Sequence, residues 1–224
     1  MNITLSIVMI VVSILIPYLL GSISPGILIG KYIFKKDPRD YGSGNSGGTN
    51  VGRLFGKKIG LLVIILDALK TIISIWAIYL ICKYVIKEGE LFMDPSYYAY
   101  IAGLFVSIGH TFPIFNNFKG GKAVSCLFGI MLATNWGITI ASFILYIIVL
   151  KWKKYVSLCA IVVSFINALI SLIPIFSYTS VFGLTHNYIY SIFLFIMAIF
   201  VSYKHKENLK RIINGTERKI TWMK

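Results

Sequence analysis

The sequence predicts an all-α, polytopic integral membrane protein: one domain over residues 1–224, seven transmembrane helices, N-terminus outside and C-terminus inside. Four observations predict it. Hydrophobic residues make up 57% of the 224 and charged residues 13%, where a soluble domain carries about 25% charged residues. The mean hydropathy is +0.80. Apolar runs near the length a helix needs to cross the hydrocarbon recur along the chain. Basic residues fill the segments between alternate runs. A soluble enzyme, a DNA-binding domain and a disordered tail are excluded together. The net charge of +14 is read as basic cytoplasmic loops facing anionic lipid, with phosphorylated ligands as the second reading and no nucleic-acid partner.

The first apolar run, 3–34, is interrupted in its second half by Pro17, Gly21, Pro25 and Gly26. A kink or re-entrant entry is expected there, tolerated where protein covers the freed backbone groups. A cleaved signal peptide is not expected, because the positive charge (Lys31, Lys35, Lys36) follows the apolar run instead of preceding it. The second and third spans are 59–86 and 97–115. The stretch 123–150 is either one long span or two short ones of about 14 residues broken near Thr134-Asn135. The last two spans are 155–176 and 188–203.

Charge decides the ambiguous stretch. With seven spans and the N-terminus outside, the inside loops are 35–57, 116–122, 151–154 and the tail. Those loops and their flanks then hold every Lys and Arg of the 22 except Lys83 and Lys87 outside and Lys70 within a span. A six-span arrangement puts two basic loops on the wrong side. Two short spans would require a thinned bilayer or shelter by neighbours. Asp67 and Lys70, three apart in the second span, are expected to pair, since isolated ions in a membrane are costly. Cys82, Cys126 and Cys159 lie in or beside apolar runs and read as small hydrophobes.

Polar, non-basic residues concentrate in three inside clusters. The first is Gly42-Ser43-Gly44-Asn45-Ser46-Gly47-Gly48-Thr49-Asn50-Val51-Gly52-Arg53. Its glycines let backbone N–H groups approach an anion, and Arg53 adds a planar fork suited to phosphate. The plainer alternative is a flexible connection. The second is Gly109-His110-Thr111-Phe112-Pro113 followed by Phe118-Lys119-Gly120-Gly121-Lys122 opening a helix. Glycines and lysines at a helix start favour an anion, although a turn whose lysines meet lipid headgroups has the same composition. It is not a Walker loop. His110 reads as a structural histidine at a helix end. The third cluster is the tail, with His205 and Asn208 three apart on one helix face, Leu209, Ile212 and Ile213 on another, and Gly215-Thr216-Glu217 after them. A polybasic helix lying on the interface is the competing reading. Ser157 begins a helix at the same membrane level. No metal site or cofactor is expected: His110, His186 and His205 are spread over both sides, and carboxylates are few. Neither a Gly-x-Ser-x-Gly elbow nor a His-x4-Asp pattern occurs.

These motifs resemble those of the bacterial acyl-phosphate:glycerol-3-phosphate acyltransferase family (PlsY-like). The family's Gly-Ser-Gly-Asn-Pro-Gly-Ala-Thr-Asn and following Arg are similar to Gly42–Asn50 and Arg53. Its Gly-His-x-Phe-Pro-Val-Phe and Phe-Lys-Gly-Gly-Lys-Gly resemble the second cluster. Its His-x-x-Asn and Gly-Thr-Glu resemble His205, Asn208 and Gly215-Thr216-Glu217. Tyr155-Val156-Ser157-Leu158 and Leu66-Asp67-Ala68-Leu69-Lys70 also look familial. The resemblance runs from about Tyr18 to the C-terminus. Ser46 stands for the family's Pro, Gly48 for its Ala and Ala123 for its last Gly. The first two are expected to loosen the loop. The third removes a glycine at the helix start.

The resemblance implies a multi-pass enzyme of the cell membrane with its active site on the cytoplasmic side. It implies transfer of an acyl group from acyl phosphate to the 1-hydroxyl of glycerol 3-phosphate, giving 1-acylglycerol 3-phosphate and phosphate in phospholipid biosynthesis. The implied partners are these two substrates, membrane lipids and an enzyme that produces acyl phosphate. Phosphate leaves well, so holding two repelling anions together and stabilising oxyanion charge carries most of the work. On this reading Ser43, Arg53, His205 and Asn208 are catalytic. Gly42, Gly44, Asn45, Thr49, Asn50, Lys119, Gly120, Gly121, Lys122 and Ser157 bind substrate phosphate. Either His205 or a substrate phosphate oxygen is the general base. Glu217 anchors the tail. A transporter of a phosphorylated metabolite and a non-catalytic lipid-binding protein are the competing classes. The first finds few polar residues outside, and the second leaves the ordered glycine and amide motifs unexplained.

Overall fold

The structure, a computed structural model, describes residues 2–86, 89–182 and 188–220. Lys87, Glu88, His186 and Lys224, which enter the charge and histidine readings, lie outside the described residues. Among the described residues every regular element is helical, with one isolated antiparallel bridge between Asn135 and Ser180. Contacts gather into two compact units, Met1–Ile130 and Met131–Lys224.

The first unit opens with α1 (Ile3–Ser22), capped by the Asn2 side chain, which accepts from the Leu5 N–H. Pro17 sits inside α1 without ending it. The helix stops where Ile23 and Ser24 become extended, and Pro25 starts α2 (Pro25–Tyr32). A proline fits the first helical position and pushes the residue before it out of the helical region. The break therefore falls at the second proline of the expected interruptions. After the glycine-rich loop come α3 (Gly48–Phe55), α4 (Lys57–Leu80, continued by a π turn Ile81–Val85) and α5 (Pro95–Thr111). A Cβ on Gly21 would collide with the Val106 carbonyl, and one on Gly109 with the Tyr18 carbonyl. Small residues at these crossings let α1 and α5 approach backbone to backbone, the usual packing solution in lipid. The Tyr18 hydroxyl adds a 3.0 Å bond to the Phe112 carbonyl.

The glycine at position 48 does not loosen the loop, contrary to the expectation from the family pattern. Gly48 is buried at the start of α3, and a Cβ there would come 2.5 Å from the Gly60 carbonyl oxygen. It is a contact point between α3 and α4, and a larger residue would push them apart.

The stretch 123–150 is broken where the sequence suggests, into α6 (Val124–Thr134) and α7 (Trp136–Lys153). Asn135 is the reason. Its Oδ1 caps α7 by accepting from Ile138 N–H at 2.9 Å, and its Nδ2 donates to the Phe176 carbonyl at 2.7 Å. The two helices have 11 and 18 residues, not two equal lengths. At about 1.5 Å per residue α6 reaches only about half of a hydrocarbon core. In the second unit α8 (Val156–Ile170) ends earlier than its apolar run, which continues as a 3-10 turn at Pro174–Thr179. Then follow α9 (Tyr188–Lys204) and α10 (Lys206–Ile213), bent by 59° between them.

Among the described residues four helical stretches are long and apolar enough to cross a membrane: Ile3–Tyr32, Lys57–Val85, Pro95–Asn116 and Trp136–Lys153. The bent pair α9–α10 makes a fifth if it is counted as one span. Seven spans require α6 and α8 to count as well.

Among the described residues Lys35, Asn117, Phe118, Ala123 and Lys154 take left-handed backbone, and Ala123 alone of these is buried. Ala123, fully buried, has φ +60°. A left-handed conformation costs an L-residue about 1–2 kcal/mol, which glycine avoids. Ala123→Gly should therefore stabilise the protein by about 0.5–1 kcal/mol after glycine's greater chain entropy is deducted. A thermal melt in detergent checks this, and a lower melting temperature for the variant would refute it.

Candidate active site

The glycine-rich loop is tied by two side chains. Asp37 caps the 3-10 turn Pro38–Asp40 by accepting from the Arg39 N–H. Arg39 returns its fork to the same carboxylate, Nε at 3.0 Å and Nη2 at 2.7 Å. These bonds from Arg39, outweighing partial burial, hold the Asp37 carboxyl down to about 2. Arg39 Nη1 reaches on to the carbonyls of Asn116 at 2.8 Å and Lys119 at 3.5 Å. One guanidinium thus joins the first and second motifs. Read from the sequence, Arg39 counts only as inside charge. The signal it offers there is an aspartate before a proline, a helix-start pair, with a guanidinium two residues on.

Asn50 is the second tie. Its Oδ1 accepts from Ser43 N–H at 3.0 Å, and its Nδ2 lies 2.8, 3.1 and 2.9 Å from the carbonyls of Pro38, Tyr41 and Asn45. The side chain is buried and its amide is fully committed to the loop. The expectation that Asn50 binds phosphate is corrected: it shapes the loop that could do so. Gly42 and Gly44 take left-handed backbone, φ +63° and +67°, and a Cβ on Gly42 would collide with Asn50 Oδ1. The Gly44 N–H donates to the Tyr41 carbonyl, so Gly44 serves the turn. Ser43, Thr49 and Arg53 are exposed and Asn45 is half-buried. An open pocket of about 370 Å³ is lined by Arg39, Asp40, Gly44, Asn117 and Lys119.

In the second motif Lys119 is exposed and Lys122 half-buried. The glycines between them do not aim N–H groups outward. Gly120 N–H donates to the Thr111 carbonyl and Gly121 N–H to the His110 carbonyl, at 3.2 and 3.0 Å. The assignment of Gly120 and Gly121 as anion donors is corrected accordingly, leaving the lysine side chains as the cations of this turn. The helix also opens later than expected, at Val124. His110 is buried at the end of α5, with Nδ1 3.1 Å from Asp67 Oδ1. The expected Asp67–Lys70 pair is present at 2.8 Å.

The tail motif of the second unit converges on one carboxylate. Glu217 Oε1 accepts from Ser157 Oγ at 2.8 Å and Asn208 Nδ2 at 2.7 Å, and Oε2 accepts from Arg211 Nε at 2.8 Å. Burial pushes the Glu217 carboxyl up, but these donors outweigh it and hold it below its ordinary value. Glu217 is thus the anchor the sequence suggests. Ser157, expected to bind phosphate, here gives its O–H to Glu217. Asn208 gives one amide N–H to the same oxygen. His205 is buried at the α9–α10 bend. Its Nδ1 is 2.8 Å from the Val201 carbonyl. A carbonyl only accepts, so Nδ1 carries a proton, and in the neutral form of the ring the lone pair is on Nε2.

The arrangement offers a cationic, glycine-turned surface in the first unit and a histidine with a defined tautomer in the second. Residues 11–215 match the family model described as Glycerol-3-phosphate acyltransferase. The chain is 37% identical to the glycerol-3-phosphate acyltransferase of Enterococcus faecalis, over 95% of this chain and 93% of that protein. It is 36% identical to that of Staphylococcus aureus strain Newman, over 96% of this chain and all of the relative. Among solved structures it is similar to PlsY (YgiH), an integral membrane glycerol 3-phosphate acyltransferase, in its glycerol 3-phosphate form. The TM-score is 0.77 and the identity 31%, with 95% of this chain and 96% of that one covered. The lysophosphatidic acid form gives 0.75 and 30%, covering 95% of each.

Proposed function

This chain belongs to the glycerol-3-phosphate acyltransferase family, and we propose that it transfers a fatty acyl group from acyl phosphate to the 1-hydroxyl of glycerol 3-phosphate. The products are 1-acylglycerol 3-phosphate and inorganic phosphate. The acyl C–O bond to phosphate breaks, a new one forms to the glycerol oxygen, and the hydroxyl proton must be taken up. The observation that carries the reading is the Arg39 tether, which holds a glycine-rich loop and a lysine turn together as one cationic surface. Such a surface fits two phosphate-bearing substrates and a leaving phosphate.

In this reading Arg53, Lys119 and Lys122 bind phosphate oxygens, and the Ser43 and Thr49 hydroxyls add donors. Gly42, Gly44, Asn45 and Asn50 set the loop's shape. His205 accepts the hydroxyl proton at Nε2 or leaves that step to a substrate phosphate oxygen. Asn208 orients the acceptor. Seven spans, with the N-terminus outside, bring all these segments to the cytoplasmic face. The positive-inside distribution supports that topology, and an enzyme producing acyl phosphate in the cytoplasm is the expected supplier of the donor.

The test is an assay of purified, reconstituted protein with acyl phosphate, acyl-CoA and acyl carrier protein as competing donors. Turnover is expected with acyl phosphate and little with either thioester, since no His-x4-Asp pattern is present to activate the hydroxyl for a poorer leaving group. Equal turnover with acyl-CoA would overturn the donor assignment. In sealed vesicles, turnover that needs glycerol 3-phosphate on the external face would overturn the orientation.

A further inference from the structure

Three ionisable side chains of the first unit meet inside the bundle, away from the exposed cations of the site. Asp67 Oδ1 receives Lys70 Nζ at 2.8 Å and His110 Nδ1 at 3.1 Å. Lys70 Nζ also donates to the carbonyls of Gly21 at 2.9 Å and Ile23 at 2.7 Å, where α1 breaks. With an ionised carboxylate as its partner, His110 donates from Nδ1. The ring's other edge, Nε2, faces Gly121, and Cys126 also contacts the ring. A Cβ on Gly121 would collide with Nε2, and one on Gly120 with the His110 carbonyl. The N–H groups of Gly120 and Gly121 donate to the carbonyls of Thr111 and His110.

We propose that Asp67, acting through the His110 ring, is the positioning residue of the Lys119–Lys122 turn. The carboxylate fixes the ring's rotation and tautomer, and the ring edge is the surface on which Gly121 rests, while Gly120 packs against the His110 carbonyl and Pro113. The lysines on either side of those glycines then project from a turn of fixed height. Lys70 plays a different part. It balances the Asp67 charge, which would be costly alone in lipid, and caps the broken end of α1. The network explains why two glycines stand between the lysines although their N–H groups are not available to an anion. It rests on the functional reading above only for what the turn binds.

The test joins hydrogen exchange with kinetics on the full-length protein in detergent. His110→Asn keeps an N–H donor for Asp67 and removes the ring edge beneath Gly121. Exchange over residues 118–123 is expected to rise at least about tenfold, and kcat/KM for glycerol 3-phosphate to fall about 10- to 100-fold, with the melting temperature nearly unchanged. Gly121→Ala alone should be impaired at least as much. The double variant His110→Asn/Gly121→Ala should recover activity relative to Gly121→Ala, because the added methyl enters the vacated space. Unchanged exchange at 118–123 in His110→Asn overturns the proposal, whether or not the parent is active. An inactive parent would overturn the functional reading instead, and exchange would still decide this one. A lowered melting temperature with unchanged exchange at the turn and unchanged kcat/KM of the folded fraction would make the network merely structural and sink the proposal.

Discussion

Arg53→Lys is expected to lower kcat/KM for glycerol 3-phosphate by about 30- to 1000-fold, a loss of roughly 2–4 kcal/mol of transition-state stabilisation. The substitution keeps the charge and removes only the planar fork. If Arg53 served as a general positive potential, the lysine would replace it at little cost. If the guanidinium grips phosphate by two parallel N–H bonds, the point charge cannot reproduce them. Arg53 lies exposed in the last turn of α3. The N-terminal end of that helix is pinned by the Gly48 contact with Gly60 and by Asn50. A fork on so short and well-held a helix has a fixed origin, which favours bidentate recognition. Steady-state kinetics beside a melting curve check this. Near-normal kcat/KM in Arg53→Lys would remove Arg53 from the phosphate clamp.

The parts of this molecule that the sequence discloses are those set by local rules. The break at Asn135 is visible because a capping residue interrupts an apolar run, and the Asp67–Lys70 pair because three residues make less than one helical turn. The anchoring role of Glu217 follows from a carboxylate placed in a basic tail. The hidden parts depend on partners far along the chain. His110 is 43 residues from the carboxylate that orients it, and Ser157 is 60 from the one it serves. Asn50 shows why composition misleads: an amide among glycines reads as a ligand for an anion, yet the same amide can satisfy the loop's own carbonyls. Gly120 and Gly121 mislead in the same way, since a glycine that opens backbone to an anion and one that lies against a carbonyl or a ring are the same letter. Helix length is also hidden. The apolar run at 155–176 continues past the point where the chain leaves α8, because hydropathy does not register the turn that ends it.

Glu217→Ala is expected to release the tail of the second unit and to cost roughly 2–4 kcal/mol of local stability. That range follows from losing charge-assisted bonds and leaving buried donors unsatisfied. Three donors converge on this carboxylate, and two of them, on Ser157 and Asn208, belong to buried residues. The tail beyond it is held by an Ile220 N–H bond to the Lys154 carbonyl and by Ile220 packing with Leu150 and Cys159. Once Glu217 is gone, Asn208 loses one of its restraints, so activity should fall along with stability. Glu217→Gln separates the two effects. It keeps one acceptor oxygen and should retain part of the stability, but its amide N–H groups face Arg211 without complementing it. Acid should mimic the loss. The Glu217 carboxyl is held below its ordinary value of 4.5, so its stabilisation is full above that pH and disappears as pH falls through the lower folded value. Hydrogen exchange over residues 205–220, measured against pH for the parent and both variants, reads this directly. The parent should begin to open only below about pH 4.5, and Glu217→Ala should be open and insensitive to pH in that window. A Glu217→Ala variant with parental exchange and melting temperature would show that packing around Ile220, not the carboxylate, holds the tail.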